Sequence, residues 1–266
     1  MTNLTLEAVT YRYPHGGTLA LDGIELHIGT GERVALIGQN GSGKTTLVRH
    51  LNGLLRPTSG RVLHDGRDVA RQTVAQLARA VGLAFQDPDR QIFAGSVRRE
   101  VEFGPRNLGM SGGELRTAVD TALAVVGLGE EAGSNPYDLG ASRRKLLALA
   151  SVQAMGTPVL VLDEPTTGQD MRGVEIVKRV IAAAHAAGRT VIAISHDMEF
   201  VAASFDRVVV LREGRVILDG GPASVFAEAS WDALRSTCLE PPLPAVIGSH
   251  LRVGDTPTDD ALLAAL

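Results

Sequence analysis

Gly38-Gln39-Asn40-Gly41-Ser42-Gly43-Lys44-Thr45-Thr46 lies between an apolar run, Val34-Ala35-Leu36-Ile37, and a stretch with helical spacing from Leu47 to Leu55. It satisfies G-x-x-x-x-G-K-[ST] at every position. Glycines at 38, 41 and 43 let the main chain wrap closely about a phosphate chain, so that successive N–H groups and a helix N-terminus converge on one anion. Lys44 would reach the β- and γ-phosphates and the Thr45 hydroxyl would hold Mg2+, with Asn40, Ser42 and Thr46 completing the cradle. A turn that only capped a helix would need neither the lysine nor the threonine. The expected ligand is therefore a nucleoside triphosphate, and what its binding drives has to come from the rest of the chain.

The 266 residues suffice for one large α/β domain with elaborations, or for two small lobes sharing a core. A hydrophobic content of 44% and a charged content of 21% place the chain among ordinary globular proteins. Its net charge of −4 supplies no basic field for a phosphate backbone, which argues against nucleic acid as the main partner. The single cysteine, Cys238, rules out an internal disulfide and a cysteine-based metal site, and suits a reducing cytoplasm. Residues 1–6 carry no basic region followed by an apolar one, so no secretion signal is expected. The longest apolar stretch, Leu146 to Leu162, is broken at Gly156-Thr157-Pro158 and runs into Asp163-Glu164. It reads as a helix followed by a buried strand, not as a membrane span.

Alternation over 4–13 and a second run ending at Ile24, Leu26 and Ile28 predict antiparallel strands at the start, with a turn at Pro14-His15-Gly16-Gly17. Tyr13 leaves the first strand where an aromatic can stack on an adenine face or serve as an ordinary sheet tyrosine; spacing does not separate the two. A hairpin is expected about Asp65-Gly66, a helix over 76–80 and a short strand over 81–85. Gln86 ends that strand, where its amide would touch both a metal shell and a mobile region beyond, or simply lead into a turn. Helical spacing then covers 96–103, 114–128 and 142–155, and a helical block between core strands suggests a subdomain. Ser111 with Glu114 three residues on reads as a capping box.

Pro158 to Leu162 is a continuous apolar strand ending in Asp163-Glu164. Adjacent carboxylates past such a strand are costly unless a cation or hydrogen bonds meet them, and beside a phosphate loop the economical roles are Mg2+ ligand for Asp163 and water-activating base for Glu164. A helix (174–187), a strand (190–194) and Ser195-His196-Asp197 follow. His196 sits where open α/β sheets bind ligands, although a lone histidine at a strand end is usually structural. A hairpin about Glu213-Gly214, short helical pieces and a joint rich in proline (Pro241, Pro242, Pro244) close the chain.

Together these residues resemble the ATP-binding cassette family over about residues 4–225. The resemblance implies an α/β P-loop ATPase domain over 1–225, with an antiparallel β-subdomain and a helical subdomain inserted at about 96–156. A short C-terminal helical extension would follow over 226–266. In that reading Tyr13 matches the adenine-stacking aromatic, Gly38–Thr45 the Walker A loop, and Gln86 the Q-loop glutamine. Asp163 matches the Walker B metal ligand, Glu164 the catalytic base, Asp170 the D-loop aspartate and His196 the switch histidine. The cofactors implied are ATP and Mg2+.

Phe85-Gln86-Asp87-Pro88-Asp89-Arg90-Gln91-Ile92-Phe93, continuing to Val101-Glu102-Phe103-Gly104-Pro105-Arg106-Asn107-Leu108-Gly109, is similar to the ATPase subunits of energy-coupling factor importers for vitamins and cobalt or nickel ions. Implied partners are a second ATPase, a membrane coupling subunit and a substrate-binding membrane protein, with this chain peripheral on the cytoplasmic face of the membrane. In that group the proline-rich extension helps dimerisation.

The family's Leu-Ser-Gly-Gly-Gln signature, which contacts ATP held by the partner, aligns with Leu139-Gly140-Ala141-Ser142-Arg143. Met110-Ser111-Gly112-Gly113-Glu114 looks closer to it, but another helix separates that string from Asp163. Gly140 lacks the serine hydroxyl, while Ser142 and the helix N-terminus remain to face an anion. The departure suggests a heterodimer in which the partner carries an intact signature. Two other classes stay open: a soluble mechanical cassette, which would want a coiled-coil insertion or tandem cassettes, and a regulatory nucleotide-binding subunit with low turnover.

Overall fold

Val159–Asp163 and Thr190–Ile194 are buried at every residue, and a strand with no exposed face belongs in the middle of a sheet covered on both sides. A computed structural model, which describes residues 2–14 and 17–266, puts them there. The first half of the chain forms β1 (Leu4–Tyr11), β2 (Leu21–Ile28), β3 (Arg33–Ile37), α1 (Lys44–Leu51), β4 (Ser59–His64), β5 (Arg67–Asp68), α2 (Val74–Leu77), β6 (Val81–Ala84), α3 (Val97–Asn107) and α4 (Gly112–Val126). The second half forms α5 (Ala141–Ala154), β7 (Val159–Asp163), α6 (Met171–Ala186), β8 (Thr190–Ile194), α7 (Met198–Ser204), β9 (Arg207–Arg212), β10 (Arg215–Gly220), α8 (Pro222–Val225), α9 (Trp231–Arg235), α10 (Leu243–Leu251) and α11 (Asp259–Ala265).

A six-stranded sheet has the order β10-β9-β3-β8-β7-β6, parallel except for β10. A four-stranded antiparallel sheet, β2-β1-β4-β5, packs beside it. Alternate residues of the central strands feed two separate cores. Ala35, Ile37, Leu160, Leu162, Val191 and Ala193 meet the helices α3 to α6. Val34, Leu36, Val159, Val161, Ile192 and Ile194 meet α1 and the antiparallel sheet. Each valine, leucine or isoleucine among them contributes about 1.5–3 kcal/mol on burial, which makes the sheet a rigid base for its strand ends.

Between β6 and β7 the chain leaves the sheet for α3, α4 and α5, which pack on one another. α5 carries a nearly continuous buried stretch, Leu146 to Val152, because helices surround it and the sheet underlies it. α3 continues past the expected stop at 103 to Asn107, with Pro105 inside it. Pro105 occupies the last turn, where the missing N–H removes one bond while its own carbonyl still accepts from Met110 N–H at 3.0 Å. The capping box expected at Ser111 is absent. Gly112 enters α4 at φ 57°, and only the Ser111 carbonyl serves the helix, accepting from Leu115 N–H at 3.3 Å. The helix expected over 76–80 lies instead at 74–77, where Thr73 and Gln76 do form a capping box.

The elements after β10 fold back on the core, to which Phe226, Trp231, Leu234, Leu239 and Ala245 contribute. Cys238 is free and exposed. Of the turn expected at 14–17, His15 and Gly16 lie outside the described residues. Among the described residues no helix is long and apolar enough to cross a membrane. The carboxyl ends of β3, β7 and β8 are adjacent, and the loops they release face one crevice.

Candidate active site

Residues 38–43 leave β3 with Gly38, Gly41 and Gly43 all at positive φ, and Gly43 starts α1 at φ 104°. Two of these positions accept no side chain. A Cβ on Gly38 would lie 2.1 Å from the Leu211 carbonyl oxygen, and one on Gly43 would lie 2.5 Å from that of Ala20. The loop is thus pressed against the β9–β10 hairpin, and Gly214 N–H donates to the Ser42 carbonyl at 3.0 Å. Lys44 is 7% exposed; its ammonium folds over the loop and donates to the Gly38 and Gln39 carbonyls at 2.5 and 2.9 Å. Burial lowers its pKa, and the nearby charges of Glu164 and Asp163 oppose that shift.

From the end of β7, Asp163 is 4% exposed. Its Oδ2 accepts from the Thr45 hydroxyl at 3.2 Å, while its buried Oδ1 has no partner. Burial is the main cause of its raised pKa; the Thr45 bond pulls the other way and Glu164 adds to the rise. Glu164 follows at φ 51°, a left-handed conformation that costs a non-glycine residue about 1 kcal/mol and concentrates at functional sites. Its N–H donates to the Ile194 carbonyl of β8 at 3.0 Å, which locks the bend. Its Oε2 accepts from His196 Nδ1–H at 2.7 Å and from the Thr167 hydroxyl at 3.3 Å. Three strand ends therefore aim a cation, a hydroxyl and two carboxylates at one place, with the exposed His196 imidazole bonded to Glu164 beside it.

That place is a cleft of about 220 Å3 bordered by residues 40–46, Asp163 and Glu164, with Tyr13 and Gln86 at its margins. Tyr13 is 40% exposed and its hydroxyl lies 3.0 Å from Thr46 Oγ1, so the ring stands over the phosphate loop rather than inside a sheet. Gln86 is exposed, and the segment after it is fastened by a residue that spacing does not single out. Gln91 Oε1 accepts from Phe85 N–H at 3.1 Å, and its Nε2 donates to the Ala148 carbonyl of α5 at 2.9 Å. Among the described residues no cluster of three or more histidines, cysteines or carboxylates could hold a metal alone.

Residues 139–143 and Asp170 stand outside the cleft. Leu139 is buried, Gly140 precedes α5, and Arg143 pairs with Glu131 at 2.5 Å. Ser142, expected to face an anion, donates its hydroxyl to Gln169 Oε1 at 2.8 Å; Gln169 Nε2 returns a bond to the Ser142 carbonyl at 3.1 Å. Lys145, one turn on, donates to the Thr167 carbonyl at 2.8 Å, and burial lowers its pKa. Asp170 caps α6, accepting from Gly173 N–H at 2.7 Å. The segment that starts at Glu164 is thereby tied to the head of α5 by three bonds that no sequence spacing announces.

Comparison with known proteins bears on this geometry. The family model described as "ABC transporter" matches residues 21–167. The chain is 42% identical to a cobalt import ATP-binding protein of Rhodobacter capsulatus, over 90% of this chain and 85% of that one. It is 38% identical to an energy-coupling factor transporter ATP-binding protein of Methanothermobacter thermautotrophicus, over 96% of this chain and 82% of that one. Among solved structures, cbiO1 of Clostridium perfringens, described as part of the ABC transporter complex cbiONQ, superposes with a TM-score of 0.76 at 38% identity, covering 94% of this chain and 98% of that one. The chain spans only 40% and 42% of the length of two other curated relatives it matches.

Proposed function

The chain belongs to the ABC transporter family and carries its ATPase cassette, and from that premise we propose that it powers an importer of the energy-coupling factor type by hydrolysing ATP. The observation that carries this reading is the meeting of Lys44, Thr45, Asp163, Glu164 and His196 at three adjacent strand ends beside one cleft. The phosphates lie on the loop N–H groups and Lys44, and Tyr13 stacks on the base. Thr45 and the unpartnered Oδ1 of Asp163, both hard oxygen donors, would hold Mg2+ with Gln86 nearby. Bound there, Mg2+ would supply positive charge against the phosphate chain. Glu164 accepts a proton from the attacking water, and His196, hydrogen-bonded to it, fixes the carboxylate and then meets the γ-phosphate.

A membrane coupling subunit docks on the 86–109 region. Phe93 and Phe103 stand 59% and 49% exposed there in an edge-to-face pair with centroids 4.7 Å apart. Glu100, buried beneath, accepts from Phe93 and Ala94 N–H at 3.0 and 2.8 Å and holds that platform. Leu243, Ile247 and Leu251 form an exposed apolar stripe along α10, which suits the extension to pairing with a second ATPase. A cargo-binding membrane protein completes the importer, whose cargo is a vitamin or transition-metal ion.

Gly140 and the committed Ser142 favour a partner that is a different chain with an intact signature. Glutamine in place of the base glutamate, made in each ATPase subunit of the purified importer in turn, tests this. Glu164→Gln should abolish most turnover, and the partner's equivalent should remove far less. Equal losses from the two would overturn the asymmetric pairing.

A further inference from the structure

Behind the phosphate loop four residues close a circuit. Tyr13 places its hydroxyl 3.0 Å from Thr46 Oγ1. The Thr46 carbonyl accepts from His50 Nδ1–H at 2.8 Å, which fixes the tautomer of that ring. The His50 ring meets Tyr11 edge to face at 4.9 Å between centroids, and Tyr11 meets Tyr13 in the same way at 4.9 Å. Only Tyr13 and Thr46 of the four border the cleft. His50 is 1% exposed on the helix that the loop enters, and burial lowers its pKa, which favours the uncharged ring. Tyr13 itself sits after the end of β1, at a position where the main chain leaves the sheet; its ring plane is held by Tyr11 from the side and Thr46 at the tip.

We propose that His50 is a positioning residue for nucleobase binding: through Tyr11 it holds the Tyr13 ring across the mouth of the cleft and so sets how strongly the chain prefers ATP to a bare triphosphate. This rests on the nucleotide reading above and extends it to a residue that touches no part of the nucleotide. The circuit couples the base side of the cleft to α1 and shares only Thr46 with the phosphate cradle, while the contacts from the loop N–H groups and Lys44 do not pass through it.

The test is calorimetric titration of the full chain with Mg-ATP and with magnesium tripolyphosphate, for wild type, His50→Leu and His50→Phe. Losing an aromatic pair in this circuit should weaken Mg-ATP binding about fivefold in His50→Leu, with tripolyphosphate affinity within about twofold of wild type. His50→Phe loses the bond to the Thr46 carbonyl but keeps the ring that meets Tyr11, and since the proposal runs through that ring contact it should bind both ligands within about twofold of wild type. Unchanged Mg-ATP affinity in His50→Leu would overturn the proposal. So would an equal loss for both ligands, which would assign His50 to holding α1 alone. Wild-type chain that binds neither ligand would instead overturn the nucleotide reading itself.

Discussion

Glu164→Gln is expected to bind Mg-ATP as tightly as the native chain and to turn it over about a thousandfold more slowly. The substitution keeps volume, and an amide oxygen still accepts from His196 Nδ1–H and Thr167, so the bend at φ 51° and its lock to Ile194 have no reason to change. What would disappear is the carboxylate assigned above as the base; Asp163, the other carboxylate at the cleft, is engaged with Thr45. Steady-state phosphate release with ATP affinity measured in parallel separates the two effects. Native turnover in the variant would remove Glu164 from the role of base, whereas weakened binding would make it a ligand.

Lys44→Ala has the second-largest expected effect, this time on binding. The ammonium lies buried among carbonyls and near two carboxylates, in a cleft where a phosphate chain brings more negative charge. Removing a hydrogen-bonded buried charge from such a place costs about 3 kcal/mol, roughly a 150-fold loss of ATP affinity. Lys44→Arg should not restore it, because a planar guanidinium cannot follow a flexible point charge into the turn of this loop. Titration with Mg-ATP checks both variants; affinity within a few-fold of native would place the phosphates elsewhere.

Much of the molecule is legible from residues near one another in sequence. The continuous apolar runs at 34–37, 159–162 and 191–194 give the buried parallel strands, and the glycines and lysine of 38–45 give the loop. Both signals are local: a strand buried on both faces has no polar alternation, and a left-handed turn leaves glycine as its trace. The helix limits at 103 and the cap at Ser111 are misjudged for a related reason. Proline and serine state only a local preference, and packing of α3 to α5 decides where the helices stop.

Gln91, His50, and the Ser142–Gln169 and Lys145–Thr167 ties leave no trace in spacing, since each joins segments that meet only after folding. Tyr13, open between a base-stacking and a sheet role, lines the cleft in the structure, a placement that its spacing does not give. The departure of 139–143 from the signature expected there is visible in the sequence, but that Ser142 is engaged by Gln169 could not be read from either residue.

The account stands on the claim that strand ends β3, β7 and β8 hold one ATP together with Mg2+ and cleave it. Single-turnover phosphate release from the purified importer, with ATP and Mg2+ supplied together and again with Mg2+ chelated, tests it most directly. The account predicts one phosphate released per copy of this chain with the metal and essentially none without it. Release that is indifferent to chelation, or absent when both are supplied, would contradict it.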